Sequence, residues 1–470
     1  MSSKEKEWYE EELEGVELGD KRLNWRLQDV AGKLAGKPAA GINQASEDWA
    51  DTKAAYRLFG NQKVSAAKIL MPHQKRTQGR MAREKRVLAV QDTSYLNYTH
   101  HPSKKEAGPI GSNNLRGYVM HETLALNEAG LPLGVLTQTI WARSEAEAEL
   151  SEWEKKNRPI EAKESNKWLA AFAQCSQLRP SGGKLVTVCD READIYELFV
   201  AAQAELATSV KDGGSHHLLV RATQDRSLSH DPLAQKLRAK VKAQQTAGQL
   251  QVQIPARQQE PARTAVVTVR YKTVTLQAPY RSLKMSPTPL PPVTLTAILV
   301  LEENPPSGVK ALNWLLLTNF PVHTLTEALT CISWYRSRWH IEVYFKVLKS
   351  GCTVEDCRLE TNERLFPYLA LMAIIAWRLY WLTHINRHHP DAPCTLILAN
   401  HEWQALYATI HRTTSLPHHL PSVAQVVRWL ARLGGFLDRN GDGQPGVTSI
   451  WRGWSRLQDK AETWLLFHPT

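Results

Sequence analysis

Three carboxylates, Asp92, Asp190 and Glu342, stand in sequence contexts that suit metal-assisted phosphate chemistry. Asp92 closes the short apolar run Arg86-Val87-Leu88-Ala89-Val90-Gln91, and Asp190 closes the nearly all-apolar Leu185-Val186-Thr187-Val188-Cys189. Each is therefore expected at a strand end, where a side chain faces a cleft rather than a core. Two such aspartates can share a divalent cation, because Mg²⁺ takes a few hard oxygen ligands and leaves room for water and phosphate. The alternative is that either aspartate caps the loop or helix that follows it. Arg191, Glu192 and Asp194 extend a polar cluster beyond Asp190; the two acids suit a helix N-terminus, and Arg191 suits a phosphate.

Glu342 lies in a helical stretch from about 325 to 350. At about 100° per residue with Tyr335 as zero, Arg338 falls near 300°, Trp339 near 40°, Glu342 near 340° and Lys349 near 320°. A carboxylate that shares a face with a phenol, a guanidinium, an indole and an ammonium is an odd core stripe. It suits a phosphodiester: Glu342 completes a metal cage, Arg338 and Lys349 grip phosphates, and the rings of Tyr335 and Trp339 stack on a base. A solvated Glu/Arg/Lys ladder has the same pattern. Three such carboxylates fit two-metal phosphoryl transfer, one ion activating water or a 3′-hydroxyl and the other stabilising the leaving oxygen. No Walker A loop, GxSxG elbow or HExxH helix offers a competing chemistry.

Elements able to hold these residues can be read around them. The strand ending at Asp190 is flanked by a charged helical stretch from about 145 to 174 and a helix from about 192 to 206, which indicates an α/β sheet. Strands are expected over 118–126 and 133–142, joined by Asn127-Glu128-Ala129-Gly130. From about 206 to 306 alternating segments and many Pro and Gly residues suggest a mostly β insertion. The strand Trp314-Leu315-Leu316-Leu317-Thr318 then returns to the core. The first 75 or so residues read as helices, with Leu23, Leu27, Val30 and Leu34 on one stripe and Arg22 and Arg26 outside it.

The 470 residues allow two or three domains, and 43% hydrophobic content is ordinary for a folded chain. The formal charge of +11 makes a polyanionic partner plausible. Its distribution says more: Lys21 to Arg86 holds 15 Lys or Arg against five acids, after an acidic opening from Glu5 to Asp20. The spacing of the six cysteines matches no zinc or redox motif, so reduced buried thiols are expected. The longest apolar stretch, Tyr368 to Trp377, runs into Arg378 and reads as too short to cross a bilayer, so a soluble cytoplasmic protein with no membrane partner is expected.

The segment Tyr335-Arg336-Ser337-Arg338-Trp339-His340-Ile341-Glu342, with Lys349 seven residues on, resembles the Tyr-(2)-Arg-(3)-Glu-(6)-Lys signature of bacterial insertion-sequence DDE transposases, whose best-known member is the transposon-five transposase. Val90-Gln91-Asp92-Thr93-Ser94 and Val188-Cys189-Asp190-Arg191-Glu192-Ala193-Asp194-Ile195 are similar to the family's two aspartate motifs, in the same order. Glu17-Leu18-Gly19-Asp20-Lys21-Arg22 and Ala55-Tyr56-Arg57 are similar to its end-recognition domain, and the likeness returns near Ile450-Trp451-Arg452-Gly453.

The resemblance implies an α/β fold with an RNase H-like mixed-sheet catalytic core over 76–375, interrupted by a β-rich insertion at 206–306. A helical end-recognition domain at 1–75 precedes it, and a helical dimerisation region at 376–470 follows. It also implies a cut-and-paste DNA transposase that nicks, closes and reopens a hairpin, and joins a 3′-hydroxyl to target DNA. Asp92, Asp190 and Glu342 then hold two Mg²⁺ ions, with Mn²⁺ as a substitute. Tyr335, Arg338, Lys349, Trp339, Trp314 and Arg191 hold the reacting DNA, with Trp314 matching the family's base-stacking tryptophan, and Arg22, Arg26 and Arg57 hold the element end. The implied partners are double-stranded DNA, as terminal repeats and target, and a second copy of the chain. A stand-alone nuclease of the same fold and a catalytically silent DNA-binding regulator remain alternatives.

Overall fold

The computed structural model describes residues 6–111, 114–145, 150–229, 233, 235–254, 261–279 and 289–468. Its described strands are β1 (Val87–Asn97), β2 (Gly108–Pro109), β3 (Arg116–Asn127), β4 (Pro132–Trp141), β5 (Lys184–Cys189), β6 (Ser215–Arg221), β7 (Gly248–Ile254), β8 (Arg263–Leu276), β9 (Val293–Leu301) and β10 (Asn313–Thr318). The chain divides into two compact units, each assembled from separated segments. The first takes 1–80, 93–150 and 340–470, and the second takes 81–92 and 151–339. The boundaries expected near 75 and 375, by contrast, cut the chain consecutively.

The second unit is a mixed sheet flanked by helices, with strand order β1-β5-β6-β10-β9-β8-β7. β1 runs parallel to β5, pairing Val87 with Leu185 and Val90 with Val188, and β5 runs parallel to β6. β6 and β10 are antiparallel, as are the pairs that follow out to β7. A parallel strand covered on both faces reads as a continuous apolar run, which is why Leu185 to Cys189 is buried throughout. On one face Cys189, Leu218, Val220, Leu315 and Leu317 pack with Trp168, Phe172, Leu198 and Phe199 of the helices Asn166–Leu178 and Tyr196–Ser209. Alternation sends Val188, Leu219 and Leu316 to the other face, where the helix Leu325–Arg336 lies against β5 and β6. Residues 146–149 of the expected helical stretch lie outside the described residues.

The stretch 206–306 holds four strands among its described residues, β6 to β9, all in one sheet with β5 and β10. β6 sits inside the sheet between β5 and β10, and β9, β8 and β7 widen the same sheet beyond β10. The histidines of Ser215-His216-His217 hid this strand. His216 is fully buried because both ring nitrogens are satisfied, by Ser176 Oγ and Thr187 Oγ1, each at 2.8 Å, while its ring stacks on Phe172 at 4.1 Å. Residues 255–260 and 280–288 of the basic stretch lie outside the described residues.

In the first unit β3 and β4 form an antiparallel pair, β2 adds to β3, and the outer half of β1 lies beside β3. The central element is the helix Asn362–His388. It is apolar all round, as a helix enclosed by others must be. By length and composition it could cross a membrane, unlike the shorter stretch read from sequence. The reason is that its apolar positions continue past Arg378, and 83% of its most apolar window is buried within the protein. The helix Lys21–Gly36, capped by Asp20, buries Leu23, Leu27, Val30 and Leu34 as the stripe requires. The acidic opening is spent internally: Glu11 and Glu14 pair with Arg76, and Glu12 with Arg80.

Glu122 of β3 is wholly buried, bonded by Gln138 Nε2 and faced by the Tyr344 hydroxyl. Burial pushes its carboxyl up to about 7, although Gln138 and Tyr344 oppose the rise. With the folded pKa above the usual 4.5, the ionisation penalty is absent below pH 4.5 and complete above pH 7. Its full size is at most about 3 kcal/mol. Thermal unfolding should therefore show Glu122→Gln gaining on the wild type as pH rises from 5 to 8; a gap of constant size across that range would contradict the titration.

Candidate active site and DNA-binding surface

Asp92 and Asp190 are placed by one register. Val90 pairs with Val188 across parallel strands, so two residues further Asp92 on β1 stands level with Asp190, just past the end of β5. Both point to the face opposite the Cys189 core, because Cys189 and Gln91 meet on the other side, with Sγ to Oε1 at 3.8 Å. That shared face is the one covered by the helix Leu325–Arg336, and chain continuity brings Arg338 to it. Nη1 of Arg338 donates to Asp92 Oδ2 at 2.9 Å, both side chains being about five-sixths buried. Asp92 does not end its strand: β1 continues to Asn97 because, past the pairing with β5, it goes on beside β3.

Asp190 is a cap, as one of the two sequence readings allowed, and it lies near Asp92. It caps the short 3-10 turn Arg191–Ala193, with Oδ1 accepting from the Glu192 N–H at 2.9 Å. Burial raises its pKa above the ordinary aspartate value, the Glu192 charge adds to that, and Arg338 and Lys167 pull the other way. Lys167 is a member of the site that sequence reasoning missed. Its ammonium is held by Glu192 at 3.2 Å and Glu164 at 3.5 Å, and only its place in the charged stretch before β5 signalled it. Arg191 is exposed. Asp194 is not part of the cleft: it is buried, and it ties down the loop after β6 through Arg226 and the N–H groups of Thr223 and Gln224.

The helix carrying the signature is not continuous. It stops at Arg336, passes through a turn at Ser337 and Arg338, resumes as Trp339–Lys346, and becomes a π-helix over Val347–Gly351, closed by Cys352 N–H on Val347 C=O at 2.8 Å. The single 100° wheel therefore fails across 335–349. Tyr335 is buried and its ring meets Trp314 edge-on at 5.4 Å. Trp314 is half-buried on the face opposite Leu315 and Leu317, with the Arg221 guanidinium 6.0 Å from its ring. Trp339 is 60% exposed.

Glu342 belongs to the first unit, half-buried on the Trp339–Lys346 helix. Also in that unit, Lys349 donates from Nζ to the Tyr95 carbonyl at 2.8 Å and pairs with Glu355 at 3.3 Å. Tyr95 is exposed and carries the Arg143 guanidinium 5.1 Å from its ring centre. Neither Tyr95 nor Arg143 was visible in sequence, since both are lone residues in strand-end polar stretches. The structure thus brings Asp92, Asp190 and Arg338 together, and separately Lys349, Tyr95 and Arg143. Among the described residues no group of three His, Cys, Asp or Glu side chains is gathered as a metal site. What exists is a pair of hard oxygen donors: a guanidinium occupies one, and burial pushes up the pKa of the other. That donor set fits a divalent cation.

In the amino-terminal helices Arg22 and Arg57 are exposed and Arg26 is half-buried. Among the described residues none of the three forms an ion pair.

Three family models match the chain, in the order of its parts. A transposase DNA-binding model matches residues 5–64, a transposase DDE domain model 197–378, and a transposase Tn5 dimerisation domain model 374–463. The chain belongs to the Tn5 family of DDE transposases. Its DDE match includes Tyr335, Arg338, Glu342 and Lys349 and begins after both aspartates. A DDE domain implies metal-dependent polynucleotidyl transfer in general, and the three-part order is consistent with DNA binding and homodimer formation.

With metal chelated, Arg338 is the cation beside the paired aspartates of this transposase. Arg338→Ala should destabilise the chelated protein by about 1–3 kcal/mol, since removing one member of a mostly buried ion pair strands the other. Mg²⁺ should restore part of the loss. Calorimetry in chelator and then in Mg²⁺ tests this; equal melting of variant and wild type in chelator would show the pair to be idle.

Proposed function

We propose that this transposase excises its element and joins it to target DNA through one carboxylate set, Asp92, Asp190 and Glu342. The observation that carries the reading is the level, same-face placement of Asp92 and Asp190 with the signature's Arg338 on Asp92. Glu342 enters from the signature, one turn beyond Arg338 in the chain. The three would hold two Mg²⁺ ions, with Mn²⁺ as a substitute, which when bound lower the pKa of an attacking hydroxyl or water and stabilise the leaving oxygen. Around them Arg338, Lys349 and Arg191 neutralise phosphates, and Tyr335, Trp314 and Trp339 supply aromatic surface. Arg22, Arg26 and Arg57 hold the terminal repeat, and a second copy of the chain pairs the other end.

The proposed order is a nick that frees a 3′-hydroxyl, attack of that hydroxyl on the opposite strand to close a hairpin, hydrolysis of the hairpin, and attack of the regenerated 3′-hydroxyl on target DNA. Each step forms one phosphorus–oxygen bond and breaks another, so one site serves all four. An RNase H-like core suits this reuse, since every step is an in-line attack on a phosphodiester and only the attacking oxygen and the strand presented to it change.

Alanine at Asp92, Asp190 or Glu342 should abolish cleavage and joining of a labelled element end in Mg²⁺ while end binding persists. Near wild-type cleavage in any one of the three would sink the assignment. Cleavage by the unaltered chain without covalent attachment of the 3′ end to a second DNA would favour a nuclease instead.

Hairpin closure requires a nucleotide near the cut to leave the stack, and an indole can replace the stacking it loses. Trp314, half-buried beside Tyr335, is the proposed surface, with Trp339 as its exposed companion. Stacking on an aromatic is worth ~1–3 kcal/mol, so Trp314→Ala should slow hairpin closure roughly tenfold to a hundredfold and leave the first nick much less affected. A 2-aminopurine time course separates the steps; equal slowing of both would make the tryptophan structural.

A further inference from the structure

Trp25 is 66% exposed on the helix Lys21–Gly36, on the side away from the buried Leu23, Leu27 and Val30. The fold makes no use of so large an apolar surface. On its amino-terminal side its helical neighbours are cations: Lys21 and Arg22 stand one turn before it and Arg26 follows it, and among the described residues none of the three is taken up in an ion pair; one turn after it stand Gln28 and Asp29, the latter paired with Lys33. The other basic helix of this region, Ala66–Met81, has Arg76 and Arg80 neutralised by Glu11, Glu14 and Glu12. Lys33, further along Trp25's own helix, is occupied by Asp29 and Asp51. Three open cations of this helix therefore stand near one exposed indole, while Arg57 and Lys75, also exposed and outside any ion pair among the described residues, lie on other helices. Trp49, 67% exposed, has a different setting: Glu47 and Asp48 precede it and the Lys53 ammonium already covers its ring at 5.1 Å.

We propose that Trp25 is a nonionic contact to element-end DNA, its indole packing on deoxyribose and base edges while Lys21, Arg22 and Arg26 hold the flanking phosphates. This rests on the reading that the amino-terminal segment binds the element end, and it adds a contact of a different physical kind. Cations on phosphates release counterions, so each contributes about −0.9 to the slope of log K against log salt. An indole on sugar and base releases none. It adds affinity at every salt concentration and leaves the slope alone.

The full-length chain titrated into a fluorescent element-end duplex, over about a fourfold range of KCl, reads both quantities by anisotropy. Trp25→Ala should weaken binding about tenfold at every salt with the wild-type slope. Trp25→Phe should recover part of the loss, Arg22→Ala should flatten the slope by about one, and Trp49→Ala should change neither. Undiminished binding by Trp25→Ala overturns the proposal, as does a slope flattened like that of Arg22→Ala. A changed sedimentation mass of Trp25→Ala at unchanged affinity also overturns it and makes the indole a self-association surface. Failure of the wild-type chain to prefer its own ends over unrelated DNA sinks the end-binding reading and this proposal with it. Loss confined to Trp25→Ala and eased by phenylalanine supports both.

Discussion

Two carboxylates held level, one on a strand and one just past the end of its parallel neighbour, and largely out of water, repel each other unless something positive stands between them and solvent. Much of the second unit is arranged around that constraint. The parallel pairing of β1 with β5 fixes the level, the apolar run before each aspartate fixes which face it occupies, and the helix Leu325–Arg336 delivers Arg338 to that face. Lys167 and the Glu192 N–H act on Asp190 from the other direction. A cleft of this kind attracts cations before any substrate arrives, and the arginine that answers the charge is itself a phosphate-binding group. DNA entering the site would therefore compete for the same guanidinium that balances the aspartates.

Local pattern revealed what local physics controls. The apolar run before Asp190 and the stripe Leu23, Leu27, Val30, Leu34 each showed their element, because burial on two faces or on one leaves a direct imprint on residue order. The strand β6 left none. His216 reads as polar, and only the distant Ser176, Thr187 and Phe172 make it a core residue. The same limit explains Tyr95 and Arg143, which become a pair only when β1 and the end of β4 come together. Asp92, Asp190 and Arg338 were readable as residue types in order, and their meeting was not. The interruption of the signature helix at Ser337 and Arg338 was not readable either, since helix-forming residues run through the break and tertiary contacts decide it.

The π turn at Val347–Gly351 has a related cause. One surplus residue in a helix widens a turn, and such turns recur at functional sites. Here it holds Lys349 so that its ammonium reaches the Tyr95 carbonyl and Glu355 rather than continuing an α-helical stripe. The signature's seven-residue spacing thus reflects a local change of pitch as much as a shared helix face. The acidic opening has a comparable lesson: a charge run that looks like a solvated tail pairs with Arg76 and Arg80, so it shapes where the basic surface lies.

The first unit is stitched from three separated segments, with its earliest helices resting on its latest ones. Phe59 meets Tyr368, His73 meets Trp377, and the Trp454 indole donates to the Ala35 carbonyl. During translation the amino-terminal helices therefore leave the ribosome long before the surfaces that bury their apolar stripes exist. A chain cut between the end of the DNA-binding match and Asn362 would keep the contacts among its early helices and lose the later surfaces on which Phe59, His73 and Ala35 rest.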